Sequence, residues 1–210
     1  MKITNTEVYG LEVALRSMRN PMNSWSRIDS TGSEKDDTFK IGEADLNLAQ
    51  RLIKGGSEHC KFLRQIHVWV DIEVPRYLWS EIDTYKYNTK NSTSTMHRLF
   101  EADKEITLEN FYTKDLNEED LTIKGSIIKH LNLLRNKWLN EGKSFKYVAK
   151  AKKILPECYL QMRTIDTNYA ELRNIYFQRR HHRLKEEWGM ICRWIESLPY
   201  AKELITYEPN

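Results

Sequence analysis

The stretch PRYLWSEIDTYKYNTKNSTSTMH, residues 75–97, decides the fold class, because its first proline separates an apolar strand from a dense run of polar side chains. The preceding residues 66–72 read IHVWVDI, with apolar side chains at every second position, which is the pattern of a half-buried β-strand. Pro75 ends that strand, since proline lacks the N–H that a β-ladder requires. The hydroxyl, amide and lysine side chains that follow indicate a binding site.

Helical patterns flank this strand on both sides. Residues 121–140 give the strongest one, because Ile123, Ile127, Leu131, Leu134 and Trp138 recur at intervals of three and four. Further helices are predicted at 10–18, 43–54, 76–84, 167–179 with Thr167 as its cap, and 184–198. A polar loop is predicted at 23–37. Helices outnumber strands, which favours an α+β fold, and residues 1–210 are predicted to form a single domain.

Composition excludes several classes of protein. Apolar residues make up 40% of the chain and charged residues 30%, which is not typical of a disordered protein. The apolar runs are far shorter than the roughly 18 residues that a membrane span needs, and the N-terminus has no apolar signal region. We therefore expect a cytoplasmic protein without a membrane partner.

The charged, thiol and imidazole side chains bear in turn on an anionic ligand, a disulfide and a metal site. A net charge of +3 permits a nucleotide ligand but does not by itself indicate nucleic-acid binding. Cys60, Cys158 and Cys192 lie far apart without a CxxC spacing, as reduced thiols do. The six histidines show no metal-ligand spacing, so no metal is predicted.

The polar segment also fits a spaced frame. Residues 84–86, Thr-Tyr-Lys, are followed by seven residues and then Ser94, with Val74-Pro75 upstream. This spacing resembles the signature of the flavin-dependent thymidylate synthases, the ThyX family, in which Arg-His-Arg, seven residues and a serine follow a strand. Glu81 stands where the family has glutamine, and Asn91 keeps an asparagine of the signature. Of the three basic signature positions, only Lys86 carries a positive charge.

The C-terminal half continues the same frame. Lys152 lies four residues before Pro156 of a Leu-Pro pair, Asn168 follows that proline by twelve residues, and Arg179 follows Asn168 by eleven. Family members carry a basic residue, an asparagine and an arginine at these intervals. Two segments in the correct order strengthen the resemblance.

The N-terminal part of the frame is less complete. His59 falls on the histidine of the family's Gly-His. The Glu-His pair that helps to hold flavin in the family corresponds to Arg64-Gln65, which is a departure from the pattern.

The resemblance implies an antiparallel sheet flanked by long helices and a homotetramer whose sites draw on more than one chain. It implies a pyrimidine nucleotide such as dUMP as the ligand, FAD as a cofactor, and NADPH and methylenetetrahydrofolate as further cofactors. The residues that it assigns to the nucleotide are Glu81, Thr84, Ser94, Lys152 and Arg179. Those that it assigns to cofactors are His59, Tyr85, Lys86, Asn91 and Asn168. No catalytic residue is assigned.

Each of these positions also has a plainer interpretation. Tyr85 could stack on a base or a flavin ring and Lys86 could pair with a phosphate, but residues 84–86 could equally be a solvated helix end. Ser94 could bind phosphate through its hydroxyl or belong to a surface loop. Asn168 and Arg179 lie about three helical turns apart, as in a ligand groove or on an ordinary polar helix face.

Three functions remain open at this point. The first is flavin-dependent transfer of a methyl or other one-carbon unit to C5 of a pyrimidine nucleotide. The second is nucleotide binding on the same fold without thymidylate synthase activity, because two signature arginines are missing and charge-assisted hydrogen bonds are roughly twice as strong as neutral ones. The third is nucleic-acid binding by the basic run Arg179–Arg183, which is more often a solvated face or an oligomer contact.

Overall fold

A computed structural model describes residues 1–209, and within them four strands form one antiparallel sheet in the order β1-β2-β4-β3. The strands are β1 (Lys2–Tyr9), β2 (His67–Pro75), β3 (Thr89–Ser92) and β4 (Leu160–Asn168). The helices are α1 (Leu11–Ser17), α2 (Glu43–Lys54), α3 (Arg76–Ile82), α4 (Thr95–Arg98), α5 (Glu118–Asn140), α6 (Phe145–Ile154), α7 (Tyr169–Arg179) and α8 (Lys185–Glu196). The predicted class, a sheet combined with long helices, is confirmed.

Strand β2 follows the alternation that its sequence predicts. Val68, Val70, Ile72 and Val74 are all buried, whereas the residues between them are exposed or half-buried. Because successive side chains of a strand point to opposite faces, this pattern places one face of β2 in the core. Helix α3 begins directly after Pro75, as predicted.

Helix α5 is present, but its core-facing stripe is shorter than predicted. Leu131 and Leu134 are buried, whereas Ile123 is 57% exposed. The 3.6-residue period identifies a helix correctly, but packing requires a neighbouring element along its whole length. The contacts of α5 with α6 involve its later turns, where Leu131 and Leu134 join the same apolar cluster as Tyr147.

The cap of α7 is Asn168, so the prediction of Thr167 as its cap was wrong. Asn168 has an extended backbone, and its side-chain Oδ1 accepts a hydrogen bond of 3.0 Å from the Glu171 N–H. Thr167 is instead a buried residue of strand β4, directly before the cap. Asparagine is at least as strong an N-cap as threonine, and strand β4, which had not been predicted, extends through residue 168, so the helix begins only at Tyr169.

Several elements gave no clear sequence pattern. Strand β1 has almost all of its side chains exposed or half-buried, and β4 buries only Ile165 and Thr167. Neither strand therefore shows the apolar alternation by which β2 was recognised. Strand β3 lies within the polar segment, and helices α4 and α6 were also not predicted.

The described chain contains two compact units, each with its own core. Unit 1 comprises residues 1–2, 72–84 and 91–164, and unit 2 comprises 3–71, 85–90 and the residues from Ile165 onward. The core of unit 1 surrounds the later turns of α5, where Leu131 and Leu134 pack with Phe100, Phe111 and Tyr147. In unit 2, α7 packs against α8, against a 3₁₀ turn at Lys61–Gln65 and against a π-helical turn at Ala201–Ile205.

A buried ion pair organises the long N-terminal loop of unit 2. The Arg19 guanidinium lies 2.6 Å from the Asp45 carboxylate, and both side chains are almost fully buried. The hydroxyl and the N–H of Ser30 donate to the other oxygen of that carboxylate. Burial raises the pKa of Asp45, but the hydrogen bonds from Ser30 and Arg19 outweigh it, so the pKa lies below its usual value.

In the part of the chain that the structure describes, no helix is both long enough and apolar enough to cross a membrane. Nor do three or more His, Cys, Asp or Glu side chains of these residues cluster as metal ligands.

Replacing Asp45 tests the importance of the buried pair. We expect D45N to lower the free energy of unfolding by about 3 kcal/mol or more, because the Arg19 charge would stay buried without a counter-charge. Because the pKa of Asp45 is lowered on folding, its contribution should be lost as the pH falls through that value. Urea unfolding at neutral pH and in acid measures both effects. The matched control is D37N, since Asp37 is exposed and has a left-handed backbone that asparagine tolerates; equal losses in both variants would contradict the assignment.

Candidate functional site

Residues 85–90 belong to unit 2, as does helix α7. Tyr85 is 5% exposed, and its hydroxyl accepts a hydrogen bond of 2.7 Å from Arg179 Nε and donates one of 3.1 Å to Gln178 Oε1. Two positions that the resemblance assigned to different ligands, Tyr85 and Arg179, are therefore in direct contact.

Aromatic rings hold the Arg179 guanidinium on two sides. It lies 4.6 Å from the ring centre of Trp188 and 5.5 Å from that of Tyr85. The two rings pack edge to face, with their centres 6.3 Å apart. Cation–π contacts of this kind each contribute about 0.5–2 kcal/mol, more when they are desolvated. The orientation of Arg179 is thus set by its own chain.

The backbone of the same segment is tied to α7 as well. The Tyr87 N–H donates to Glu171 Oε1 at 3.3 Å, and Asn88 Nδ2 donates to the Tyr85 carbonyl at 2.8 Å. Glu171 is 4% exposed and is the third residue of α7. The first bond joins the segment to α7, and the second lies within the segment. The Tyr87 side chain is 69% exposed.

A cavity of about 470 Å³ lies beside this segment, entirely within unit 2. Its volume falls in the usual range for small-molecule sites, roughly 300–1,000 Å³. Its walls combine rings and aliphatic groups with a few polar side chains, among them Leu63, Arg64, Tyr87, Asn168, Arg173 and Phe177. Asn168 of the predicted set therefore reaches a pocket, and the amide that caps α7 is part of its lining.

His59 lies at the rim of this region. Gly56, Ser57 and Cys60 line the cavity, whereas the exposed His59 ring packs against Gly55. A Cβ atom at Gly55 would lie 3.1 Å from the imidazole Cδ2, so the glycine leaves space for the ring.

The polar pocket of unit 1 contains Ser94. The pocket has a volume of about 370 Å³. Ser94 caps α4, with its Oγ accepting a hydrogen bond of 3.3 Å from the Met96 N–H. The pocket lining contains one cationic side chain, Arg98, and three carboxylates, those of Glu73, Glu101 and Glu109. Arg98 pairs with Glu101 at 2.7 Å. This lining by itself is unfavourable for a phosphate, because like charges repel.

The other predicted residues of unit 1 lie on helix ends and surfaces. Thr84 is exposed, and its Oγ1 donates to the Glu81 carbonyl at 2.7 Å, which closes the end of α3. Asn91 is exposed on strand β3, and Lys152 is exposed on α6. In unit 2, Lys86 is exposed directly after Tyr85.

Three side chains of the basic run 179–183 have contacts within unit 2, whereas His181 and Arg183 are exposed. Arg179 contacts Tyr85 and Trp188, and Arg180 makes two hydrogen bonds of 3.1 Å to the Glu208 carboxylate. His182 packs edge to face on Trp188. This engagement does not favour the nucleic-acid hypothesis, which needs cations directed at phosphates.

Sequence reasoning missed three residues of this arrangement. Trp188, Tyr87 and Glu171 were not assigned to any ligand from the sequence. Tyr87 had a recognisable signal, since it repeats an aromatic residue two positions after Tyr85 in the segment that the frame had already identified. Glu171 had none, because a glutamate in the first helical turn is common.

The sequence matches neither a protein-family model nor a curated protein. Solved structures nevertheless superpose along almost the whole chain. Two are the flavin-dependent thymidylate synthase ThyX of Helicobacter pylori with FAD and dUMP, each with a TM-score of 0.69 and 19% identity; they cover 98% of this chain and 98% and 97% of their own. Another is the UMP/dUMP methylase PolB of Streptomyces cacaoi bound with 5-Br dUMP, with a TM-score of 0.63, 14% identity and coverage of 98% and 95%. The fold of this chain is thus that of the flavin-dependent thymidylate synthases, as its spaced motifs had predicted.

Proposed function

We propose that this protein binds a pyrimidine nucleotide such as dUMP together with FAD, and that it transfers a one-carbon unit to C5 of the base. The observation that carries the proposal is the shared fold over 98% of the chain with proteins solved in complex with FAD and dUMP or with a dUMP analogue. The sequence frame supports it independently, because the intervals from Thr84 to Ser94 and from Lys152 to Arg179 match the family.

The cavity of unit 2 suits a flat, aromatic group. Tyr87 and Phe177 offer rings for stacking, and Asn168 offers an amide at the wall. A bound flavin would supply the reducing equivalents of the reaction. Tyr87, Asn168 and Phe177 would orient its ring, and His59 would lie at the rim; His59, Tyr85, Lys86, Asn91 and Asn168 remain the proposed cofactor-binding set. NADPH and methylenetetrahydrofolate are proposed as the co-substrates.

Arg179 is the proposed anchor of the nucleotide. Its guanidinium is held by Tyr85 and Trp188 before any ligand arrives. A side chain that is already ordered loses less conformational entropy when it binds. The remaining residues proposed for the nucleotide are Glu81, Thr84, Ser94 and Lys152.

The charge of the unit 1 pocket bears on how a phosphate would be held. In the pocket that contains Ser94, carboxylates outnumber cationic side chains. A phosphate at Ser94 would therefore need cations from another source. A second copy of the chain could supply Lys86 or Lys152, which are exposed, and this is consistent with the proposed homotetramer.

A second function deserves a test because of Tyr85. Where the family has the histidine of Arg-His-Arg, this chain has a buried tyrosine that occupies the Nε of its own Arg179. This contact favours a protein that retains the nucleotide site but has altered or lost the thymidylate synthase reaction. Nucleotide binding without product from dUMP, NADPH and methylenetetrahydrofolate would support this second function, and turnover would exclude it.

Ligand-dependent thermal stability tests binding directly. At a dUMP concentration one hundred times Kd, binding adds about 2.7 kcal/mol to the folded state, which raises Tm by roughly 5–10 °C for a chain of this size. FAD should give a second increase and should remain with the protein, visible by its absorbance, after gel filtration. Deoxyadenosine monophosphate is the control nucleotide. The absence of a shift with both dUMP and FAD would contradict the proposal.

Removing the Tyr85 hydroxyl tests the role of Arg179. We expect Y85F to weaken dUMP binding about tenfold, because a hydrogen bond to a charged group contributes about 1.5–3 kcal/mol. Calorimetric titration measures the change in Kd. The matched control is Y176F. Tyr176 is on the same helix as Arg179, and this variant removes the hydrogen bond of 2.8 Å from the Tyr176 hydroxyl to Glu196. Unchanged affinity in Y85F, or an equal loss in Y176F, would argue against Arg179 as the anchor.

A further inference from the structure

An amine and a thiol meet in unit 1, and neither of them lines a pocket described above. Lys124 Nζ on helix α5 lies 2.7 Å from Cys158 Sγ in the turn before strand β4. This separation is at the short limit for an N–H···O hydrogen bond, although sulfur is a larger acceptor than oxygen. Both side chains are half-buried, so a small oxidant can reach them.

Neighbouring contacts hold both partners in place. The Lys124 ammonium also lies 5.5 Å from the ring centre of Phe111, which is buried and packs edge to face on Tyr159. The Cys158 carbonyl accepts a hydrogen bond of 2.8 Å from the Tyr112 N–H. The backbone on either side of the thiol is fixed as well, because the Tyr77 N–H donates to the Glu157 carbonyl at 3.1 Å.

We propose that Lys124 and Cys158 form an oxidation-dependent covalent cross-link, in which the lysine nitrogen bonds to the cysteine sulfur. The proposal does not depend on the nucleotide or flavin site. Cys158 is half-buried and can meet a small oxidant, whereas Cys192 is buried. At this distance the Lys124 nitrogen can reach an oxidised sulfur directly, which makes the pair a site of modification.

The chemistry requires one peroxide. The Cys158 thiol is first oxidised by hydrogen peroxide to a sulfenic acid, and the peroxide is reduced to water. The Lys124 ammonium then loses one proton to solvent, and the resulting amine attacks the sulfur. The S–O bond breaks, and the hydroxyl leaves as a second water after taking a proton from the nitrogen. The product is a sulfenamide, the class of bond that sulfenic acids also form with backbone nitrogen. The protein loses two hydrogen atoms, and a thiol reductant reverses the bond.

The link would join α5 to the turn between α6 and β4. It would close a loop from residue 124 to residue 158, which lowers the conformational entropy of the unfolded chain. Lys152, a proposed nucleotide-binding residue, lies within that loop. Oxidation would therefore stiffen the segment that carries Lys152.

Peptide mass spectrometry of the full-length protein tests the cross-link. After treatment with a slight excess of hydrogen peroxide, we expect a linked pair of peptides containing residues 124 and 158. The mass of the linked pair should be lower than the summed masses of the two peptides by two hydrogen atoms. Dithiothreitol should separate the two peptides. The Tm of the oxidised protein should rise and should return to its original value after reduction. Oxidation of Cys158 to sulfinic acid without any linked peptide would overturn the proposal.

Two variants separate the cross-link from other oxidation. K124R keeps the positive charge, but a guanidinium remains protonated and is a poor nucleophile, so we expect the linked peptide and the reversible rise in Tm to disappear. C60S removes another half-buried thiol, and the link should persist in it. If K124R showed the same reversible rise in Tm as the unmodified sequence, or if C60S abolished the link, the pairing of Lys124 with Cys158 would be wrong.

Discussion

The junction between strand β4 and helix α7 is the constraint on which unit 2 depends. The Asn168 side chain caps the helix, and the next N–H, that of Tyr169, donates to the carbonyl of Ile66 at 3.1 Å, directly before strand β2. The Tyr169 ring is fully buried, and its hydroxyl donates to the Pro199 carbonyl at 2.6 Å. Burial raises the pKa of this phenol, so it stays a donor at any physiological pH. The position of α7, and with it the cavity wall and Arg179, follows from these bonds.

Helix α7 carries two residues of the spaced sequence frame, Asn168 at its N-cap and Arg179 at its last position. Its first turn carries the capping amide at the cavity and the buried carboxylate that binds the Tyr87 N–H. Its last residue is Arg179, held by Tyr85 and Trp188. The tyrosine that stands where the family has histidine therefore changes the hydrogen bonding of Arg179 as well as the charge of the site. It replaces a titratable ring by a phenol whose hydroxyl is hydrogen-bonded to the arginine that we propose as the nucleotide anchor.

The sequence predicted the parts of the fold that depend on local pattern. Strand β2 and helix α2 were correct because each buries one regular face, and spaced motifs gave the fold although identity to the solved structures is 14–19%. Strands β1 and β4 could not be predicted, since their side chains are mostly half-buried or exposed and their pairing is long-range. The contact between Tyr85 and Arg179 was also beyond reach, because it joins residues 94 positions apart that had been assigned to different ligands.

A crystal structure of the protein grown with FAD and dUMP is the decisive measurement for the proposed site. We expect a flavin ring in the cavity lined by Tyr87, Asn168 and Phe177, and a nucleotide bound by Arg179 with Tyr85 still hydrogen-bonded to that arginine. If the cavity stayed empty at saturating ligand and Arg179 contacted no nucleotide, the proposed function would be wrong.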